Sequence, residues 1–170
     1  MKRIPGVVVG IVKDLVDPKG QGRIQVDFPW LPKDQRSGWA PLATPLAGKD
    51  RGMFFMPEPE DEVLVAFHQG DFNHPFVVGF LWNGEDKPPA TQSGKRLLVT
   101  PGGHRLLFDD DDPKKVELTA ASGHKMVLDG TSITLQMNAG ATKVTLTDTS
   151  VKLEGGGRSL ALDGGKVQIL

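Results

Sequence analysis

The chain has 170 residues, a formal net charge of −1 and no cysteine. Its length allows one domain with an appendage or two small domains. The near-neutral charge argues against a nucleic-acid binder with a basic surface, and the lack of cysteine excludes disulfides, thiolate catalysis and cysteine-ligated zinc.

The amino-terminal residues do not follow the pattern of a secretion signal. The stretch MKRIPGVVVGIVKD lacks a small-residue cleavage site and reaches a charge at Lys13. No apolar run approaches the roughly 20 residues that span a bilayer. We therefore expect a soluble protein that is assembled in the cytoplasm.

Residues 1–84 predict a small all-β barrel. All the tryptophans and all but one of the phenylalanines lie here, which supplies aromatic mass for a separate core. Frequent glycine and proline without any helical pattern favour a Greek-key barrel of the OB (oligonucleotide/oligosaccharide-binding) type. Alternation and β-branched residues predict five strands, Val7–Lys13, Arg23–Phe28, Gly38–Ala43, Glu62–Phe67 and Pro75–Leu81.

A short linker follows the predicted barrel. Asn83-Gly84 is a turn signal, and Pro88-Pro89 is a stiff extended spacer. We assign residues 85–95 to the linker, which is too short to hold another domain.

Residues 96–170 repeat one short phrase four times. The copies are GHRLLFDD from Gly103, GHKMVLDG from Gly123, ATKVTLTD from Ala141 and GRSLALDG from Gly157. Each copy contains an aspartate near its end, and a second short strand with period-two alternation follows it. Units of this kind predict stacked hairpins, as in a β-solenoid or a β-prism.

The hairpins have one apolar row per strand and no helix to cover it. Three copies that wind into a prism would turn these rows toward a common axis, and the many glycines suit its sharp corners. A single-chain solenoid is the alternative. In the trimer we expect the inward residues to be Leu118, Leu128, Leu135, Leu146, Leu153, Leu162 and Ile169, with Thr134 and Thr145 on the other face.

Two long stretches of the chain resemble a known family. They are GRIQVDFPW at 22–30 and WAPLATPLAGKDRGMFFMPEPEDEVLVAFHQGDFNHPFVVGFLWNG at 39–84. Together with the hairpin repeats they closely resemble the VgrG and phage baseplate assembly protein V family, the central spikes of contractile injection machines. The residues at that family's turn and hairpin positions are Gly52, Pro57, Glu62, Gly70, Asp71, Pro75 and Gly79.

The resemblance implies an OB barrel that trimerises and carries a triple-stranded β-helix as a needle. It implies assembly in the cytoplasm into a phage tail-like particle, and contact with a target membrane only during injection. The chain begins almost at its first strand, so we expect a separate baseplate hub protein at the OB end.

The carboxyl-terminal end suggests a second partner. Short spikes with an iron cap carry an H-x-H motif near the tip, whereas the last histidine here is His124. We therefore expect a separate PAAR-type tip protein to bind Val167, Gln168, Ile169 and Leu170.

Polar clusters are interpreted as structural. His68, Asp71 and His74 have a spacing that suits a metal, and Asp109–Asp112 could hold calcium, but both stretches read more simply as turns. His104 and His124 are repeat corners, and Glu58–Glu62 is a charged turn. We expect no metal, no cofactor and no nucleic acid.

We compare three classes of function for this sequence. The resemblance favours a structural spike. An OB module on a β-solenoid stalk that recognises glycan or nucleic acid is the second possibility. An enzyme is the third, and no catalytic motif supports it.

Overall fold

A computed structural model describes residues 3–32 and 35–169. It is nearly all β, with 47% strand and 3% helix, which confirms the predicted all-β class. The chain divides into two compact units, Met1–Lys87 and Pro88–Leu170. Among the described residues, no helix has the length and apolarity needed to cross a membrane.

The first unit is built on a four-stranded antiparallel sheet in the order β2-β1-β5-β6. A short 3-10 turn, His68–Gly70, joins the last two of these strands, and two further strands form a separate hairpin. The strands are β1 (Val7–Asp14), β2 (Gln25–Asp27), β3 (Ala47–Gly48), β4 (Arg51–Gly52), β5 (Glu62–Phe67) and β6 (Pro75–Phe80).

The stretch Gly38–Ala43, predicted as a strand, does not form a regular one. Ala40 bridges to Ile24 beside β2, and Leu42 bridges in parallel to Val77 in β6. Pro41 lacks the N–H that a continuous ladder needs, although its carbonyl still accepts the N–H of Val77. The stretch therefore joins the two edge strands of the sheet through isolated bridges, and this closes the barrel.

The core of the first unit is made mainly of valine and isoleucine, not of the aromatic residues that the composition suggested. Phe28 and Phe67 are its only buried rings among the described residues. Phe28 stands at 5.4 Å from Trp30 between ring centroids, and Phe72 packs against both phenylalanines. Most other aromatic side chains are exposed. The buried residues are Val12, Ile24, Val26, Phe28, Ala40, Val63, Val65, Phe67 and Val77.

The second unit is a single nine-stranded antiparallel sheet. Each strand pairs with its neighbours in sequence, so the chain runs back and forth from β7 to β15. The strands are β7 (Lys95–Val99), β8 (Arg105–Asp109), β9 (Lys115–Thr119), β10 (Lys125–Asp129), β11 (Ile133–Met137), β12 (Thr142–Leu146), β13 (Ser150–Gly155), β14 (Arg158–Asp163) and β15 (Lys166–Ile169).

Candidate assembly surface

One face of the nine-stranded sheet is a continuous apolar surface, which we call the apolar face. In register, Leu118 pairs with Met126, Met126 with Leu135, and Leu135 with Val144. Because residues that pair across strands point to the same side, these side chains form a row that crosses the sheet. The row continues through Leu153. A parallel row contains Leu128, Ile133, Leu146, Val151, Leu162 and Val167.

All seven residues expected in the trimer core lie on the apolar face. This placement follows from the period-two alternation along each strand and from an unbroken register between strands. The single chain leaves all of them exposed. They are Leu118, Leu128, Leu135, Leu146, Leu153, Leu162 and Ile169.

Exposure in β11 runs opposite to hydrophobicity. Ile133, Leu135 and Met137 are 37%, 43% and 52% exposed, whereas Thr134 and Gln136 on the other face are only partly exposed. An isolated soluble sheet would show the reverse order, with apolar side chains less exposed than polar ones. The apolar face therefore lacks a covering layer in the single chain.

The opposite face carries most of the polar side chains, together with Leu107 and Val127, and forms its own ion pairs. Lys152 Nζ lies 2.7 Å from Glu154 Oε1, and Lys143 Nζ lies 3.7 Å from Glu154 Oε2. The hydrogen bond from Lys152 is the main reason that the pKa of Glu154 is lowered. Nearer β7, Lys115 pairs with Glu117 at 3.3 Å. A face of this composition suits contact with water.

The last described strand leaves apolar side chains in the open. Val167 and Ile169 belong to the apolar face and are 66% and 81% exposed, while Gln168 points to the other side. Strand β15 pairs only with β14 in the sheet. Leu170, the fourth residue assigned to tip binding, lies outside the described residues.

His68, Asp71 and His74 form a self-contained loop. Asp71 Oδ1 accepts the N–H of Asn73, and Asp71 Oδ2 lies 3.0 Å from His74 Nδ1. These contacts lower the pKa of Asp71, with the Asn73 N–H as the largest cause. The ring centroids of His68 and His74 are 6.4 Å apart. The side chain of Asp71 thus holds the loop, as the turn interpretation requires.

The Asp109–Asp112 loop is paired with cations of the same sheet. Lys95 Nζ lies 3.4 Å from the buried carboxylate of Asp109, and Arg96 donates to Asp110 at 2.6 Å. Across residues 3–32 and 35–169, no three His, Asp or Glu side chains are grouped so that they could hold a metal ion.

The corner histidines have a role that the sequence did not reveal. His104 Nδ1 accepts the backbone N–H of Ala121 at 3.2 Å, and His124 Nδ1 accepts that of Asn138 at 3.1 Å. Each imidazole therefore ties its own turn to the turn that lies two strands further along. The equivalent position of the two histidines in the repeat was the only available signal.

The turns at the opposite ends of the strands are stabilised by hydrogen bonds to side chains within the turns themselves. Asp129 Oδ1 accepts the N–H groups of Thr131 and Ser132, both at 2.8 Å, and this lowers the pKa of Asp129. Thr147 performs the same task in the next such turn, accepting from the N–H of Ser150. Asp148, which the repeat aligns with Asp129, instead lies in the turn itself.

The charged stretch Glu58–Glu62 is a turn that enters β5. Asp61 Oδ2 accepts the N–H of Glu58 at 2.8 Å, and Glu60 pairs with Lys13 at 2.6 Å. These carboxylates are thus occupied by contacts within the turn and with β1.

Comparison with known proteins matches each of the two units to a family model. Residues 8–82 match the family model of the type VI secretion system/phage-baseplate injector OB domain. Residues 95–157 match that of the phage baseplate V C-terminal trimerisation domain. The second match covers most of the nine-stranded sheet and supports assembly as a homotrimer.

Curated relatives are spike proteins of secretion systems. The type VI secretion system spike protein VgrG1c of Pseudomonas aeruginosa is 31% identical over 139 residues, covering 67% of this chain. VgrG1a of the same organism is 32% identical over 123 residues, covering 61% of this chain. The actin cross-linking toxin VgrG1 of Vibrio cholerae is 29% identical over 130 residues, covering 65%.

The similarity covers only part of each relative. The chain spans 19% of the length of VgrG1c, 19% of VgrG1a and 12% of the Vibrio cholerae toxin. The two domain matches nevertheless follow each other along this chain in the order of its two structural units. The chain therefore belongs to the VgrG/phage baseplate V family of spike proteins.

Proposed function

We propose that the protein is the central spike of a contractile injection machine. Three copies form the spike, which docks on a baseplate hub and is driven through a target envelope when a sheath contracts. The role is structural, and no reaction is assigned to the chain. The observation that carries this proposal is the exposed apolar face, which lies within a sheet that matches a trimerisation domain.

The apolar face explains why three chains would share one core. Each exposed leucine removed from water contributes about 25 cal/mol per Å² of apolar surface. The rows run without interruption across the strands, so the gain repeats in every layer of the sheet. A single copy keeps this surface in water, where it is an aggregation hazard.

A needle of this kind suits mechanical load. Consecutive strands are hydrogen-bonded along the stacking direction, and a dry, densely packed core has low compressibility. Nine strands at about 4.8 Å spacing give a stack of about 40 Å. In the described sheet the pairings from β7 to β15 contain no register shift, so the ladder of hydrogen bonds continues from strand to strand.

Two partners complete the proposed machine. A hub protein would bind the OB unit, and a PAAR-type tip protein would bind β15. The exposed Val167 and Ile169, and the strand edge that pairs only with β14, support the second contact. Free strand edges and apolar patches are the features that a partner covers by strand addition.

Absolute mass in solution tests the proposal. Light scattering at micromolar concentration is expected to give three times the chain mass of 18.4 kDa. A monomeric mass with an intact far-UV spectrum would remove the spike proposal and favour an OB module on a solenoid stalk.

A further inference from the structure

Four strands of the second unit share a charge pattern. Each carries a cation at or next to its start, and an aspartate lies at its end or in the turn that follows. The pairs are Arg105 and Asp109 in β8, Lys125 and Asp129 in β10, Lys143 and Asp148 around β12, and Arg158 and Asp163 in β14. The repeated sequence therefore places a positive charge at or next to the start of each of these strands and a negative charge at or just after its end.

The topology sorts these charges onto opposite sides of the sheet. Strands alternate in direction from β7 to β15, so β8, β10, β12 and β14 all run the same way. Their starts lie along one lateral side, which we call the cation row, and their ends lie along the other, the aspartate row. Each row follows one of the two sets of turns that connect the strands at the sides of the sheet.

The charge difference between the rows survives when every titratable neighbour is counted. Within residues 3–32 and 35–169, the only acid in or beside the cation row is Glu154, which pairs with Lys143 and Lys152. The aspartate row also contains lysines and Arg96, but the aspartates outnumber these cations. Its charged residues are Lys95, Arg96, Asp109, Asp110, Asp111, Asp112, Lys114, Lys115, Asp129, Asp148, Asp163 and Lys166.

Several of the row charges have no partner within their own chain. In the described part of the chain, the side chains of Lys125 and Arg158 make no hydrogen bond or ion pair, and the same holds for the side chains of Asp148 and Asp163. Burial raises the pKa of Glu117, but hydrogen bonds from Thr119 and Lys115 and the nearby charge of Lys125 lower it below its ordinary value. These four side chains are therefore available to a neighbouring molecule.

A three-fold assembly brings unlike rows together. In a closed ring each copy presents one side to the next copy and receives the opposite side of the previous one, because the contact is heterologous. Three sheets with their apolar faces toward one axis consequently meet along three seams. Each seam joins the aspartate row of one copy to the cation row of the next.

We propose that these complementary rows form the seams of the trimer and fix the direction in which the three copies close. The occupant of each row is a second copy of this chain, and the inference rests on the proposed trimer. Rotation about the threefold axis does not change the position of a residue along that axis, so equivalent residues of the three copies lie at the same level. The same repeat of adjacent copies therefore meets in each layer of the seam.

The charged rows determine which arrangement of the copies forms more than they determine how tightly the copies bind to one another. A single exposed ion pair adds little, whereas like charges along a whole seam would repel in every layer. An apolar face alone does not distinguish a closed ring from a face-to-face dimer. Opposite charges on the two sides favour the ring, because only the ring satisfies both rows in every copy.

A charge-swap cycle on the full chain tests the proposal. One variant reverses the aspartate row with Asp148→Lys and Asp163→Lys, and another reverses the cation row with Lys125→Glu and Arg158→Glu. Sedimentation over a dilution series, in the urea concentration that half-dissociates the parent trimer, measures the chain concentration for half-assembly. We expect each reversal to raise this concentration by about ten-fold or more at low salt.

The combined variant with both rows reversed separates the seam from general damage. Its rows are again opposite in sign, so half-assembly is expected to return to within about three-fold of the parent. High salt should weaken the effect of either single reversal. A matched control, Glu85→Lys with Lys87→Glu in exposed positions before the second unit, should leave assembly unchanged.

The outcomes distinguish the two proposals. If the parent is not a trimer, the proposed function fails and the seam fails with it. If the parent is a trimer but single-row reversal has no effect, the seam proposal alone is wrong. The seam is equally wrong if the combined variant assembles no better than the single-row variants.

Discussion

At the scale of single residues, Gly10 in β1 has no room for a side chain. A Cβ at this position would overlap Val26 Cγ1 in the core and approach the Asp27 carbonyl oxygen to 3.2 Å. We predict that Gly10→Ala destabilises the first unit by about 1–3 kcal/mol through overpacking. Thermal unfolding measures the effect.

Gly79 in β6 provides the control for Gly10. No atom lies within 4 Å of a Cβ built on Gly79, so Gly79→Ala should shift the melting temperature little. An equal loss at both positions would show that lack of space beside Gly10 does not determine the cost.

The loop that follows β1 depends on one carboxylate. The side chain of Asp17 is 3% exposed and binds Arg23 with both oxygens, at 2.9 Å and 2.6 Å. The bond from Arg23 is the largest cause that lowers the pKa of Asp17 far below its ordinary 3.8, and the N–H groups of Lys19 and Gln21 add to it. The ionised carboxylate therefore organises this loop.

The lowered pKa sets the sign of a pH prediction. A carboxylate with a depressed folded-state pKa stabilises the fold above its unfolded pKa, and this stability is lost as the pH falls through the folded value. We predict that Asp17→Asn lowers the melting temperature at pH 7 and that the difference from the parent shrinks as the pH falls below about 4. Asp50→Asn, in the exposed turn between β3 and β4, is the matched control for removal of one carboxylate.

At the scale of elements, β11 and β12 separate the two faces of the sheet. Leu135 and Leu146 lie on the apolar face, and Thr134 pairs with Thr145 on the other. We predict that Leu135→Asp or Leu146→Asp abolishes trimer assembly, because the threefold axis would bury three carboxylates together. Thr134→Asp and Thr145→Asp should tolerate the same charge, since Thr145 lies across from Lys152.

Light scattering of the four variants checks the face assignment. Monomers from the leucine variants and trimers from the threonine variants are the expected result. If both pairs assemble equally well, the apolar face is not the trimer core.

Strand β15 carries the prediction for the tip partner. Deleting residues 166–170 removes Val167 and Ile169 and exposes the edge of β14 instead. We predict that binding of a PAAR-type tip protein is lost while the trimer and its hub contact remain. Co-purification with the tip protein, and the mass of the truncated chain, measure the two effects separately. Unchanged tip binding would move the contact to another surface.

At the scale of the whole molecule, the two units should differ in resistance to unfolding. The first unit has its own closed core, whereas the second would unfold only by separating three chains. We predict that the second unit resists heat and detergent more than the first, because its unfolding is limited by a high kinetic barrier. Calorimetry should show two transitions, and the later one should depend on scan rate.

Residues 96–170 expressed alone provide the complementary measurement. A trimer is expected, since the apolar face lies entirely within this segment. An ordered monomer would instead support the single-chain solenoid that the sequence left open.

The sequence by itself determined the all-β class, the alternating strands of the repeat that became β8 to β15, and the shared face of the apolar residues from Leu118 to Ile169. Period-two alternation is a local property of each strand, so it is legible without knowledge of neighbours. The register in the structure keeps these alternating positions in phase, whereas a slip of one residue would move the apolar side chains of a strand to the other face. The family resemblance rested on long ordered stretches of the first unit.

Only the tertiary structure decided how the barrel closes and which polar groups are occupied. Gly38–Ala43 looked like a strand, but Pro41 cannot donate to a ladder, and its bridges to Ile24 and Val77 depend on residues distant in sequence. Exposed aromatics and a valine-rich core were likewise invisible in composition, since burial depends on which face of a closed sheet a side chain takes. The sorting of aspartates and cations onto opposite sides appears only once the alternating strand directions are known.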